Sequence, residues 1–163
     1  MSPLPVDNLI NKHLIYEFEN LDGTPARYEA WYQSEETIVY KIHGGPLKGR
    51  SAYQRAFYQK VSGEDEIYMI SWIEEMGTTV SVCVNLKEKT VNGFIAFAAG
   101  HYKEKEQARG DKRDPQTLER WRKLIDIENQ PVHRIPKPVF GRIIEIHEGA
   151  GELTARTSND PYF

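Results

Sequence analysis

The segment His13-Leu14-Ile15-Tyr16-Glu17-Phe18-Glu19 decides the fold class. Leu14, Tyr16 and Phe18 fall on one face and the two glutamates on the other, the period of two that a half-buried β-strand requires. The same alternation recurs outward from it. Asn20-Leu21-Asp22-Gly23-Thr24-Pro25 supplies turn residues, and a second strand follows through Arg27-Tyr28-Glu29-Ala30-Trp31-Tyr32. A third, Thr37 to His43, is stopped by Gly44-Gly45-Pro46. Further strands are expected at 51–60, 66–73, 78–86 and 90–98, separated by Ser62-Gly63-Glu64-Asp65, Glu75-Met76-Gly77 and Lys87-Glu88-Lys89. Short strands at this spacing, joined by short polar turns, indicate an antiparallel meander. Closing such a sheet removes its exposed edges, and about eight strands enclose room for one small ligand.

After residue 100 the pattern changes. The chain from His101 to Glu128 is highly charged, with Asp114-Pro115 placed as N-cap and first helical position. Leu118, Trp121, Leu124 and Ile125 follow at helical spacing, which predicts a helix over 115–127, preceded by a shorter one at 102–108. Prolines at 131, 136 and 138 end it, and Phe140 to Glu148 supplies the eighth strand, with Ile144 and Ile146 on one face. Residues 152–163 form a polar tail expected to be mobile. The expected architecture is mainly β: one domain, 1–163, built as an eight-stranded antiparallel barrel with a helical insertion at 101–130 before the last strand.

Composition narrows the function classes. At 163 residues the chain can bury a core without disulfides or metals. The single Cys83 excludes an intramolecular disulfide and any multi-cysteine metal site. It is read as a buried, inert thiol between Val82 and Val84. A formal net charge of −3 gives no electrostatic case for nucleic acid or for an anionic membrane surface. No apolar run approaches the roughly 20 residues of a membrane span, and the first residues lack the basic and apolar regions of a signal peptide. A soluble, cytoplasmic domain is the expectation. Nine tyrosines, six phenylalanines and three tryptophans suit either an aromatic core or a cavity for a ring-shaped ligand.

Most candidate motifs fail on context. Gly44-Gly45-Pro46-Leu47-Lys48-Gly49-Arg50-Ser51 has the look of a phosphate loop, but the mechanism needs a helix to follow and a strand follows here. The five histidines (13, 43, 101, 133 and 147) form no i, i+4 pair and no zinc motif, so no metal is expected. The charge run Lys103 to Asp114 alternates in sign and reads as a solvated helical face. Two residues stand apart. Arg50 opens a strand after the glycine turn, where it can point into a barrel mouth. Glu74 ends the apolar strand Ile70-Ser71-Trp72-Ile73, on the face of Trp72. If Glu74 points into the barrel, desolvation raises its pKa, keeps it protonated near neutrality and suits it to general acid work; the alternative is a turn glutamate exposed to water.

Three segments, His13 to Asn20, Tyr40-Lys41-Ile42-His43-Gly44-Gly45-Pro46-Leu47-Lys48-Gly49-Arg50 and Ser71-Trp72-Ile73-Glu74-Glu75-Met76-Gly77-Thr78, resemble the phenolic acid decarboxylases in order and spacing. The resemblance extends through Asn92–Phe97 and Gly141–Ile146, and Gly110–Pro115 with Arg120-Trp121-Arg122 is more similar to the fungal branch than to the bacterial one. It implies a lipocalin-like barrel, a homodimer, and cofactor-free decarboxylation of para-hydroxycinnamic acids (p-coumarate, ferulate, caffeate) to 4-vinylphenols through a quinone methide. By position it implies that Tyr16, Arg50 and Glu74 are catalytic, and that Tyr16, Phe18 and Arg50 bind substrate. Phe18 departs from the family, which carries a second tyrosine there; Tyr28, Tyr32 or Tyr40 can replace the missing hydroxyl. Two alternatives remain at this point: a lipocalin-like protein that binds small aromatic ligands without turnover, and a same-fold enzyme acting on another aromatic substrate.

Overall fold

The computed structural model describes residues 5–19, 24–61, 66–125 and 134–163. The turns expected at 20–23 and 62–65, Pro131 and His133 lie outside the described residues.

The alternating segments form β1 (Lys12–Glu19), β2 (Pro25–Ser34), β3 (Thr37–Ile42), β4 (Arg50–Lys60), β5 (Ile67–Ile73), β6 (Thr79–Asn85) and β7 (Thr90–Ala98). Two helices, α1 (Ala99–Lys103) and α2 (Pro115–Arg122), flank the two-residue β8 (Gly110–Asp111), and β9 (Arg134–Glu148) closes the chain's regular structure. Neighbours in sequence pair antiparallel from β1 to β7, β9 inserts between β7 and β1, and the β3–β4 pairing closes the ring. The result is a closed eight-stranded antiparallel barrel; β8 adds a short parallel pairing to the start of β4. Leu14, Tyr16 and Phe18 point inward, as do Ile38, Tyr40 and Ile42 from β3 and Ile70 and Trp72 from β5, and all of them are buried.

Several elements differ from the sequence reading. The first helix spans Ala99–Lys103 rather than 102–108, because it starts where β7 ends, in the small residues Ala99 and Gly100, and not in the charged run. Gly100 is needed there: a Cβ would run into the Leu124 carbonyl. The second helix begins as expected, with the Asp114 carboxylate accepting from the Gln116 amide at 3.0 Å, then tightens into a 3-10 turn over Lys123–Ile125. The last strand starts at Arg134, so Pro136 and Pro138 sit inside it. Among the described residues, 135–140 ladder with β7 only, an edge-like setting in which proline is tolerated. A register shift between Ile15 and Tyr16 on the β1–β9 ladder turns Ile143 inward and leaves Ile144 exposed, correcting the expected facing of Ile144. Cys83 is exposed on the outer barrel face, not buried.

The polar tail is docked rather than mobile. Leu153 packs with Trp31, Val39 and Tyr53 in a second cluster outside the barrel, and Tyr162 lies against it. The Gln33 side chain donates to the Arg156 carbonyl and accepts from the Arg156 amide, both at 2.8 Å. No helix among the described residues is long and apolar enough to cross a membrane. Leu153→Ala should therefore lower stability by about 2 kcal/mol, read as a lower urea midpoint at unchanged slope; an unchanged midpoint would mean that this cluster does not hold the tail.

Candidate active site

The interior-facing side chains leave an enclosed cavity of about 40 Å³, room for a few waters. It adjoins a larger space of about 680 Å³ toward the mouth. Phe18, Tyr28, Leu47, Ile95, Phe97 and His101 line both.

One wall is aromatic. Tyr16 and Tyr28 stack with ring centres 5.6 Å apart, and Phe18 meets both edge-on, at 5.3 Å in each case. These three rings come together because β1 and β2 pair with Tyr16 opposite Tyr28 and Phe18 opposite Ala26. Burial raises the Tyr16 hydroxyl well above its ordinary range, reinforced by Tyr32 and Tyr28. Tyr28, likewise, is pushed up by burial, then by Glu74, with Arg50 opposing. Tyr28 and Tyr40 line the cavity and Tyr32 does not; it packs edge-on against Tyr58.

The opposite wall is polar. Arg50 follows the tight turn closed by Gly49, whose φ of +90° is in glycine territory, and its side chain is fully buried. Its guanidinium donates to the Tyr40 hydroxyl at 3.2 Å, the Ala108 carbonyl at 2.9 Å, Glu74 Oε2 at 2.9 Å and Glu75 Oε1 at 2.5 Å. It also lies 3.7 Å over the Trp121 ring. Although burial opposes its charge, Tyr40, Glu74 and Glu75 keep the guanidinium firmly protonated.

Glu74 and Glu75 are consecutive and both buried, which strand alternation does not permit. A turn makes it possible: the Gly77 amide donates to the Glu74 carbonyl at 2.7 Å and the Glu74 amide to the Thr78 carbonyl at 2.8 Å. Glu74 faces the cavity, accepting from Tyr40 at 2.9 Å and from the Trp72 indole at 3.3 Å. Burial raises its pKa, partly offset by Arg50 and by the Tyr40 and Trp72 hydrogen bonds, with Glu75 adding to the rise. Glu75 behaves in the opposite way. Burial again favours the neutral acid, but Arg50, Lys112 at 3.1 Å and the Gln54 amide at 2.9 Å outweigh it and hold Glu75 down at about 2.

Lys112 was hidden in the alternating charge run and corrects its reading as a solvated face. The residue is 1 % exposed, donating to Gln54 Oε1 and the Tyr53 carbonyl at 3.0 Å and to the Tyr162 carbonyl at 2.7 Å. Pairing of β8 with the start of β4 carries it there. His101 was also passed over as one of five scattered histidines. It is buried beside the cavity, with Nδ1 2.8 Å from Thr78 Oγ1 and 3.6 Å from Glu74 Oε2. Among the described residues no group of three or more His, Cys, Asp or Glu is disposed to hold a metal ion. The structure thus gathers Tyr16, Phe18, Arg50 and Glu74 around one cavity and adds Tyr28, Tyr40, Thr78 and His101 to them.

A family model described as phenolic acid decarboxylase (PAD) matches residues 6–148. The phenolic acid decarboxylase PadC of Bacillus subtilis (strain 168) is 34 % identical over 92 residues, covering 56 % of this chain and 54 % of the relative. A probable phenolic acid decarboxylase of Vibrio cholerae serotype O1 is 30 % identical over 92 residues, covering 56 % and 50 %. The aligned stretch spans about half the length of each curated relative.

The two carboxylates have opposite pH signatures. Glu75, depressed in the fold, adds stability that is present above its unfolded value of about 4.5 and is lost as pH falls through about 2. Glu74, raised in the fold, subtracts stability as pH climbs above its unfolded value. Glu75→Gln, which leaves Arg50 and Lys112 short of a counter-charge, should lower stability by about 3 kcal/mol at neutral pH. The gap to the wild type should close as pH falls toward 2, as measured by urea unfolding from pH 7 to 2.5; a pH-independent gap would refute the assignment.

Proposed function

Since the chain belongs to the phenolic acid decarboxylase family, we propose that it converts para-hydroxycinnamic acids such as p-coumarate, ferulate and caffeate to 4-vinylphenols and CO2, without a cofactor. The observation that carries this reading is Glu74: a carboxyl group inside an aromatic-walled cavity, biased by burial toward its protonated form.

The chemistry asks for such a group. Direct loss of CO2 from a vinylic carbon leaves an unstabilised carbanion. Moving a proton onto the alkene carbon that bears the carboxylate, while the para-hydroxyl gives one up, forms a quinone methide. The carbon–carboxylate bond then breaks with its electrons flowing back into the ring, releasing CO2 and a vinylphenolate that regains its proton. In this scheme Glu74 is the acid. The carboxylate it becomes accepts from Arg50, Tyr40 and Trp72, and these bonds strengthen as its proton leaves. Arg50 acts on the substrate through Glu74, since four of its five N–H donors already have protein acceptors. Tyr16 and Phe18 shape the slot for the ring. Of the tyrosines that could replace the hydroxyl absent at Phe18, Tyr28 lines the cavity, whereas the Tyr40 hydroxyl is already engaged by Glu74 and Arg50.

The same family reading includes a homodimer. The register sets Phe57, Ser71, Ser81 and Phe94 in one row across the outer face. Phe57 and Phe94 are 64 % and 50 % exposed, with Ile73 and Phe140 also exposed nearby. Exposed apolar side chains grouped around the hydrogen-bonded Ser71–Ser81 pair on one outer face fit burial against a second copy.

Purified protein should consume p-coumarate or ferulate with release of the vinylphenol, without added metal or nucleotide. Glu74→Gln should lose at least about 100-fold in kcat, the scale of a general acid, while keeping its melting temperature. Binding of every para-hydroxycinnamate without turnover would instead favour the ligand-binding alternative. Sedimentation velocity should find the wild type dimeric and Phe94→Arg monomeric; a wild type that stays monomeric at tens of micromolar would remove the dimer.

A further inference from the structure

His101 presents a buried polar atom that the scheme above does not use. The side chain leaves α1 toward the interior and stands at the boundary between the enclosed cavity and the mouth space. Phe97 packs edge-on to the imidazole at 5.1 Å. The ring is 2 % exposed, and its Nε2 has no hydrogen-bond partner among the described residues. A buried polar atom without a partner costs free energy unless a ligand supplies one.

The neighbours of the ring suit one tautomer. The Thr78 hydroxyl accepts the Ala98 amide at 3.0 Å. Its own proton can then be directed at His101 Nδ1, 2.8 Å away, the arrangement on which the inference is built. With Nδ1 accepting, the ring carries its single proton on Nε2. Burial, then Arg50, push the imidazole well below its ordinary pKa despite the opposing Glu75, so the ring is neutral at pH 7. In this tautomer His101 is an uncharged N–H donor at the cavity boundary.

We infer that His101 Nε2–H binds the carboxylate of the substrate, making His101 a substrate-positioning residue of this site. The inference rests on the reading of Glu74 as the acid. The carbon that Glu74 protonates carries the carboxylate one bond away. A donor on a ring whose other nitrogen is 3.6 Å from Glu74 Oε2 is within reach of those oxygens. Among the described residues the mouth beyond His101 is lined by Lys105 and Lys137 against one acid, Glu19, a field that favours an anion at this end. A neutral donor also suits the reaction better than an imidazolium. An ion pair would stabilise the carboxylate in the ground state and be lost when CO2, an uncharged molecule, departs.

Two ligands that cannot follow the quinone methide path separate the ends: cinnamate, with a carboxylate and no phenol, and 4-ethylphenol, with a phenol and no carboxylate. In proton–nitrogen spectra of the full chain labelled at histidine, with His101 identified through His101→Gln, the free ring should be the Nε2–H tautomer. Its Nε2–H signal should move on adding cinnamate and stay in place with 4-ethylphenol. An Nδ1–H tautomer, a signal indifferent to cinnamate, or a response to 4-ethylphenol alone would overturn the proposal. In kinetics His101→Leu should raise KM for p-coumarate by about 10-fold, as loss of about 1.4 kcal/mol of binding predicts. His101→Gln, which keeps a side-chain N–H, should recover most of it. A leucine variant with wild-type KM would also overturn it, and if that variant does not fold, the spectra of the wild type decide. Turnover with an unmoved Nε2–H removes His101 alone; a cinnamate-specific shift without turnover of any para-hydroxycinnamate removes the decarboxylase reading and leaves the hydrogen bond standing.

Discussion

The guanidinium of Arg50, sealed inside the barrel, is the constraint around which the site is arranged. An unpaired charge at such a position would be prohibitive. The structure answers with two carboxylates, a tyrosine hydroxyl, a backbone carbonyl and the face of Trp121. The second carboxylate, Glu75, is in turn matched by Lys112. With Glu74 ionised, two cations and two carboxylates balance; with Glu74 protonated the cluster carries one surplus positive charge. The proton on Glu74 is therefore the variable element of an otherwise rigid network, and Glu74 is the member of the pair that faces the cavity.

This arrangement gives the helical insertion a definite task. It brings the Ala108 carbonyl and the Trp121 ring to Arg50, Lys112 to Glu75 and His101 to the cavity boundary. The tail continues the chain of support, since Lys112 also donates to the Tyr162 carbonyl and the Tyr162 hydroxyl meets Thr37 Oγ1 at 2.6 Å. The barrel provides the apolar slot, while the segments outside it compensate the charges buried in its wall.

Much of the barrel was legible before any coordinates. Side-chain alternation is a local property of a strand, so Leu14, Tyr16 and Phe18 could be assigned to one face from their spacing, whereas Glu74, at a strand end, could be placed on the face of Trp72 but not inside the barrel. The family likeness then attached roles to Tyr16, Arg50 and Glu74. Irregularities were less visible. A bulge reverses Ile143 and Ile144, and the prolines at 136 and 138, read as ending the helical insertion, lie inside β9, where among the described residues the strand ladders with β7 only.

By itself the sequence determined the strand periodicity, the count of strands that closes a barrel, the N-cap of α2 and which face of the first strand points inward. Tertiary structure alone decided how the buried charges are satisfied. Arg50 finds its acceptors 10, 24, 25 and 58 positions away along the chain, and Lys112 reaches Tyr162 across 50. Alternating charges such as those around Lys112 look solvated because nothing local reveals a distant partner. The physical reason is the range of the two effects: hydrophobic periodicity repeats within a few residues, whereas compensation of a buried charge depends on which remote segments barrel closure brings together.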